Sequence, residues 1–257
     1  MDEKRFVDYL TELAQKYSVA EDLTVCLEEG AVRVHCAKGD FRFVYRFEEP
    51  EKEGDVPLFH WRSKRRYVEL KNLLENKMVE KPLAMRIHHI VPQDSFAHSL
   101  NDLLTFESDL LEFITGQRID RVFADFSDQI YTNCIFSTEK NIKASLELGF
   151  SPQGSEPVLL HEIVARSGIV SDVAVDTQTQ QYPIYVFKGP QVEHYTDIDQ
   201  ELYGLDNASA DCIRFILSVL AKPESIPGLR EQRTHLQHVC KAAQKASTEL
   251  SYTKVEG

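Results

Sequence analysis

Ser99-Leu100-Asn101-Asp102-Leu103-Leu104-Thr105-Phe106-Glu107-Ser108-Asp109-Leu110-Leu111-Glu112-Phe113-Ile114-Thr115-Gly116 reads as a single amphipathic helix. Leu103, Leu110 and Ile114 fall on one face, and Leu104, Leu111 and Phe113 widen that stripe. Gly116 is placed to end the helix in a left-handed conformation, which costs a glycine least. Asp102, Phe106 and Asp109, spaced by four and then three, share a second line along the helix. Two carboxylates around a phenylalanine suit either a solvated helix edge beside a core residue or a polar face kept for chemistry. Spacing alone favours the solvated edge.

Upstream of this helix, residues 4 to 17 carry Phe6, Leu10, Leu13 and Tyr17 at helical spacing. Three β-like runs follow, Leu23 to Glu28, Ala31 to Cys36 and Phe41 to Phe47, separated by Glu29-Gly30 and Lys38-Gly39-Asp40. Short glycine-containing turns between alternating runs predict an antiparallel meander. Residues 48 to 55, charged and rich in turn formers, mark a boundary between a small module (1–55) and the main domain (56–257). Fifty-five residues are too few to bury a full core alone. Val56 to Trp61 reads as a short strand, residues 63 to 77 as a helix capped by Ser63, and Leu83 to Val91 as a strand containing Arg86, His88 and His89.

Downstream come strand candidates at Asp120 to Phe126, Ile130 to Ser137, Ile142 to Phe150, Val158 to Ala165, Ile169 to Asp176 and Pro183 to Phe187. A series so little interrupted by helix predicts antiparallel sheet. Helices are expected at Asp206 to Ala221 and Leu229 to Leu250, with Tyr252 to Val255 as a terminal strand. The fold class is therefore α+β: a large, mostly antiparallel sheet with helices on one face, preceded by a small helix and meander.

A net charge of −12 argues against nucleic-acid and anionic-membrane partners, since both need a basic surface. Arg62 to Arg66 is the only dense basic run and is explained by a solvated helix start. Five scattered cysteines, without paired spacing, fit reduced thiols in a cytoplasmic protein. No apolar run approaches the length of a membrane span, and the first residues lack the apolar core of a signal peptide. No Gly-x-Gly-x-x-Gly, Walker loop, Gly-x-Ser-x-Gly elbow or zinc-type cysteine pattern occurs. His88, His89, Asp94 and His98 are a poor metal set, because neighbours on a strand face opposite ways. His235 and His238 read as part of a solvated helix face beside Lys241.

From Val56 onward, about four fifths of the chain resembles the second domain of the glucose-fructose oxidoreductase, inositol dehydrogenase and MocA family, a fold similar to the C-terminal domain of dihydrodipicolinate reductase. Four stretches carry the resemblance. Residues 59 to 82 look like the segment leaving the family's nucleotide domain. The Ser99–Gly116 helix resembles the family's Asp-x-Gly-x-His-x-x-Asp helix, with Asp102 and Asp109 at the acidic positions. Residues 162 to 171 look like its Gly-x-x-Gly turn, with Ser171 replacing the second glycine, and residues 238 to 247 are similar to its closing helix.

The departures carry the functional expectation. The histidine that the resemblance implies as proton carrier is Phe106 here, which cannot titrate. The glycine two residues after the first aspartate is Leu104, and no doubly wound nucleotide domain precedes the match. Glu80-Lys81-Pro82 has the letters of a family motif but follows a helix and leads into a strand, so Lys81 stays outside the catalytic set. The resemblance thus implies a non-catalytic relative with a vestigial motif at Asp102, Phe106 and Asp109. Arg86, His88, Asp102 and Asp109 are its candidates for holding a small sugar-like or polyol-like ligand. It implies no cofactor for the isolated chain and NAD(P) only if a partner chain supplies the nucleotide-binding domain. The sheet face is expected to support a homo-oligomer.

Overall fold

The computed structural model describes residues 3–45, 47, 52, 54–93, 99–126, 130–172, 184–188, 191–195 and 204–256, with the backbone alone in the two short segments 184–188 and 191–195. Its helices are α1 (Glu3–Lys16), α2 (Arg65–Glu75), α3 (Leu100–Thr115), α4 (Asn207–Ala221) and α5 (Ile226–Glu249). Its strands are β1 (Thr24–Glu28), β2 (Ala31–Cys36), β3 (Gly39–Val44), β4 (Asp55–Pro57), β5 (Pro82–Pro92), β6 (Ile119–Asp125) and β7 (Tyr131–Thr138). These are followed by β8 (Lys143–Ser151), β9 (Val158–Ala165), β10 (Gly168–Ser171), β11 (Ile184–Lys188), β12 (Gln191–Tyr195) and β13 (Thr253–Lys254). Two compact units result, Met1–Lys64 with Ala174–Glu231 and Arg65–Val173 with Gln232–Gly257. The division thus runs through Lys64 and inside α5 rather than at residue 55.

In the first unit β1, β2, β3 and β4 form a sheet in that order. The predicted meander is present as β1–β3, but β4 joins β3 in parallel. Arg42 fixes this join, donating from Nε to Glu28 Oε2 at 2.9 Å and from Nη1 to the buried Asp55 Oδ1 at 2.8 Å. Val56 to Trp61 is not one strand: β4 ends at Pro57 and His60–Ser63 turn as a 3-10 helix. That turn places Phe59 and Trp61 in an aromatic cluster with Phe47, and Phe59 also meets Phe215 of α4 edge to face. Residues 204–231 therefore supply the cover that the small N-terminal module lacks.

Ser63 closes this 3-10 turn instead of capping α2, and the extended Lys64 separates the two helices. The second unit is built on a seven-stranded sheet in the order β10-β9-β5-β8-β7-β6-β13. β5 and β8 run parallel, and every other neighbouring pair is antiparallel, so the sheet is mixed. The crossover from β5 to β8 carries α3 onto one face, where it packs on both strands. On β5, Met85, Ile87, His89 and Val91 alternate inward toward α3, whereas Arg86 and His88 point to the opposite face. Gly149 on β8 lies beneath Tyr131: a Cβ there would come within 2.9 Å of the Tyr131 ring and 3.0 Å of the Ile130 carbonyl oxygen.

α3 is buried almost all round, because α2 lies against it and α5 reaches it through Cys240, Gln232 and His235. Its ends are both specified by sequence. Ser99 Oγ accepts from Asp102 N at 3.1 Å while the Asp102 carboxylate accepts from Ser99 N at 2.9 Å, and Gly116 terminates the helix at φ 64°. Ser99→Ala is expected to cost about 1 kcal/mol in urea denaturation, the usual worth of an N-cap side chain.

Candidate functional site

The second unit contains a continuous chain of ionisable side chains across its interior, centred on α3. Glu107, fully buried, receives His89 Nδ1–H on Oε1 at 2.5 Å and His161 Nε2–H on Oε2 at 2.9 Å. His161, also fully buried, donates its other ring N–H to Asp172 Oδ2 at 2.8 Å, and its backbone N–H donates to Asp172 Oδ1 at 2.8 Å. Arg66, at the start of α2, lies 3.5 Å from Asp172 and leads the chain to the surface. Tyr67 stacks edge to face on His161 at 5.0 Å, and Phe106 does the same on His89 at 5.2 Å.

The electrostatics follow from the partners. Burial opposes charge on Glu107, but His161 and His89 outweigh it and hold its pKa at about 2. Burial likewise opposes charge on His161, yet Glu107 and Asp172 raise its pKa to about 9. Both ring nitrogens of His161 face carboxylates, so it is an imidazolium at neutral pH, flanked by two anions. The chain joins α3 to β5, to β9 and to the loop after β10 through charge-assisted hydrogen bonds.

A second cluster ties α3 to α5. Glu112 Oε1 accepts from His235 Nε2 at 2.8 Å and from Ile119 N at 2.6 Å, while Gln232 Nε2 donates to Glu112 Oε2 at 2.7 Å and to Asp109 Oδ1 at 3.1 Å. His235 is therefore buried between helices instead of lying on a solvated face.

The residues singled out from the sequence do not converge. Asp102 serves in the capping box, Asp109 is wholly buried against Gln232, and Phe106 is buried between His89 and Tyr67. The solvated-edge reading of this face is thus corrected, since α2 and α5 enclose it. Arg86 and His88 lie on the other side of the sheet, paired with Glu162 and Glu147 at 2.8 Å each. Asp94 and His98 fall outside the described residues, and among the described residues no group of three His, Cys, Asp or Glu side chains is arranged to hold a metal ion. Lys81 sits at φ 50° between α2 and β5, in the helix-then-strand setting expected for it.

Sequence reasoning missed Glu107, His161 and Asp172. Two of them carried a signal: Glu107 lies four residues after Leu103 on the apolar stripe, and His161 lies two before Ile163 on the inward phase of β9.

No protein-family model matches this sequence, and no curated protein matches it. Solved structures do match. They include a probable dehydrogenase from Thermotoga maritima (14% identity, TM-score 0.55, covering 78% of this chain and 64% of that one). A myo-inositol 2-dehydrogenase from Lactobacillus plantarum matches at 12% identity and TM-score 0.54, covering 77% and 64%. A scyllo-inositol dehydrogenase from Lactobacillus casei, with bound cofactor NAD(H) and scyllo-inositol, matches at 16% identity and TM-score 0.52, covering 77% and 63%. The chain spans less than two thirds of the length of each. At these identities the likeness is one of fold, and that fold is the one found in inositol dehydrogenases, as the sequence resemblance implied.

The N-terminus of α3 does not offer a cradle for a dinucleotide such as the NAD(H) bound in the scyllo-inositol dehydrogenase. A dinucleotide needs free N–H groups at a helix N-terminus reached by a glycine-rich turn. The segment entering α3, Gln93-Asp-Ser-Phe-Ala-His-Ser99, has no glycine, and the capping box already fills that end with a carboxylate. Among the described residues, no helix is long and apolar enough to cross a membrane.

Proposed function

We propose that this chain is a non-catalytic, cytoplasmic relative of the dehydrogenase fold, acting as an assembly subunit through the outer face of its seven-stranded sheet. One observation carries the reading: the polar face of α3 is spent on internal bonds. Phe106 stands where the motif's proton carrier would be, with its ring against His89 and Tyr67. Glu107, Asp109 and Glu112 are each bonded within the unit. A reaction centre needs such groups turned toward a substrate. The opposite sheet face presents Tyr131 and Ile135 on β7 and Val158 on β9, all more than a third exposed, flanking the Arg86–Glu162 and His88–Glu147 pairs. Exposed apolar side chains on both sides of paired charges suit a self-complementary interface. A small sugar-like ligand would meet Arg86 and His88 on this face, apart from Asp102 and Asp109.

The experiment pairs titration calorimetry with light scattering. No heat is expected on titrating NADH or NADPH into the chain alone, and micromolar binding overturns the non-catalytic reading. Light scattering is expected to give at least a dimer that Ile135→Lys dissociates at least tenfold more readily; a monomeric wild type overturns the assembly role. A second reading is favoured by the short span against the solved dehydrogenases, one of which holds NAD(H). In it the chain is the substrate-domain component of an NAD(P)-dependent oxidoreductase completed by a nucleotide-binding partner chain. Co-expression with such a partner, giving NADH-dependent turnover, would establish it.

A further inference from the structure

A cleft of about 510 Å³ opens in the second unit between α5 and the C-terminal strand β13, away from the buried chain on Glu107. Its lining includes His238, Lys241 and Lys245 from one face of α5, and Thr253, Lys254 and Glu256 from the segment alongside. In a protein of net charge −12, this lining sets, among the described residues, three lysines against one glutamate. Lys241 and Lys245, four residues apart, stack like charges on the same helix face, an arrangement that is unfavourable without a counter-charge. Lys245 has Glu249 3.9 Å away, on the turn beyond the cleft.

Two further atoms point to a ligand. His238 Nδ1 and Thr253 Oγ1 are buried from solvent, yet neither has a hydrogen-bond partner among the described residues. Buried polar atoms without partners are rare in native proteins and are commonly satisfied by water, an ion or a ligand. Both belong to residues that line the cleft, one on each wall. Thr253 is held in place by pairing with Val122 on β6, so its side chain is carried by a fixed backbone.

We propose that this cleft binds a small polyanion, a phosphorylated or polycarboxylated metabolite. Lys241, Lys245 and Lys254 neutralise its charge, and a rotamer change on binding turns the Thr253 hydroxyl and the His238 ring, closed to solvent in the empty cleft, toward its oxygens. The ammonium groups supply attraction that salt screens, while the threonine and histidine supply placement. This assignment is independent of the assembly role and of any activity.

Pyrophosphate and citrate, titrated separately into the full chain by calorimetry at low ionic strength, test it. Saturable one-to-one binding is expected for at least one of them, weakening at least tenfold at 0.5 M sodium chloride. Preference for pyrophosphate marks a phosphoryl ligand, and preference for citrate a carboxylate. Lys241→Met with Lys254→Met is expected to abolish binding without changing thermal stability in ligand-free buffer. Thr253→Val is expected to weaken binding at least fivefold while leaving the free protein equally or more stable, since it removes a buried hydroxyl without a partner. Absence of saturable binding by both probes, or binding that both variants leave unchanged, overturns the proposal.

Discussion

Glu107→Gln is expected to destabilise the second unit by about 3–5 kcal/mol, the usual cost of removing one partner from a buried ion pair. The side chain keeps its shape, so no cavity opens. What changes is charge and donor count. The glutamine amide has one oxygen for two N–H donors, His89 Nδ1–H and His161 Nε2–H, so its NH2 group must face one of them. His161, which Glu107 and Asp172 hold as an imidazolium, loses one of its two anions in a place closed to water. The effect is read as a fall in the urea midpoint, with the slope unchanged if the native state stays compact. A loss below about 1 kcal/mol would mean that the network is dispensable. Activity is not the readout, which separates this test from any claim about catalysis.

The course of the chain was readable because periodicity is a strong signal. Gly116 announced the end of α3, the predicted helix starts at Ser99, which proves to be its N-cap, and the strand predicted at Leu83 to Val91 is β5. Most strand positions were foreseen to within a residue or two, yet the parallel pairings β3–β4 and β5–β8 were not. Alternation reports which face a residue occupies and says nothing of which strand lies beside it. β4 also shows how a local pattern yields to packing: Val56 to Trp61 is apolar enough for a strand, but the aromatic cluster draws Phe59 and Trp61 out of extended structure.

The site was less readable for a related reason. Acidic residues on a helix are ordinarily solvated, and sequence spacing cannot show that α2 and α5 both close over α3. Asp109 and Glu112 lie away from the predicted apolar stripe, and their burial depends on Gln232 and His235, more than a hundred residues later. Glu107 differs, because it sits on the stripe itself. A carboxylate at a core position of a helix, with histidines at inward positions of two strands, is a pattern that asks for pairing. Arg86 and His88 failed to join Asp102 and Asp109 for the simplest reason: the inward phase of β5 belongs to His89. The comparison with a catalytic motif drew attention to Phe106, while the residue after it anchors the helix.

The same network predicts a two-sided dependence of stability on pH. His161 is raised from 6.5 to about 9, so its contribution is complete below pH 6.5 and is lost as pH rises through about 9. Glu107 is lowered from 4.5 to about 2, so its contribution is complete above pH 4.5 and is lost as pH falls through about 2. The network therefore stabilises most between pH 4.5 and 6.5. Each displacement corresponds to about 3 kcal/mol at 1.36 kcal/mol per pKa unit, and because both describe the same ion pair they do not add. Other groups titrate over this range, so the quantity to measure is the stability difference between wild type and Glu107→Gln in urea at pH 5.5, 8 and 10. That difference is expected to be largest at pH 5.5 and to shrink by about half or more at pH 10, where His161 has lost its proton and the carboxylate no longer faces a cation. A difference that stays constant across the three conditions would show that Glu107 acts through neutral hydrogen bonds alone.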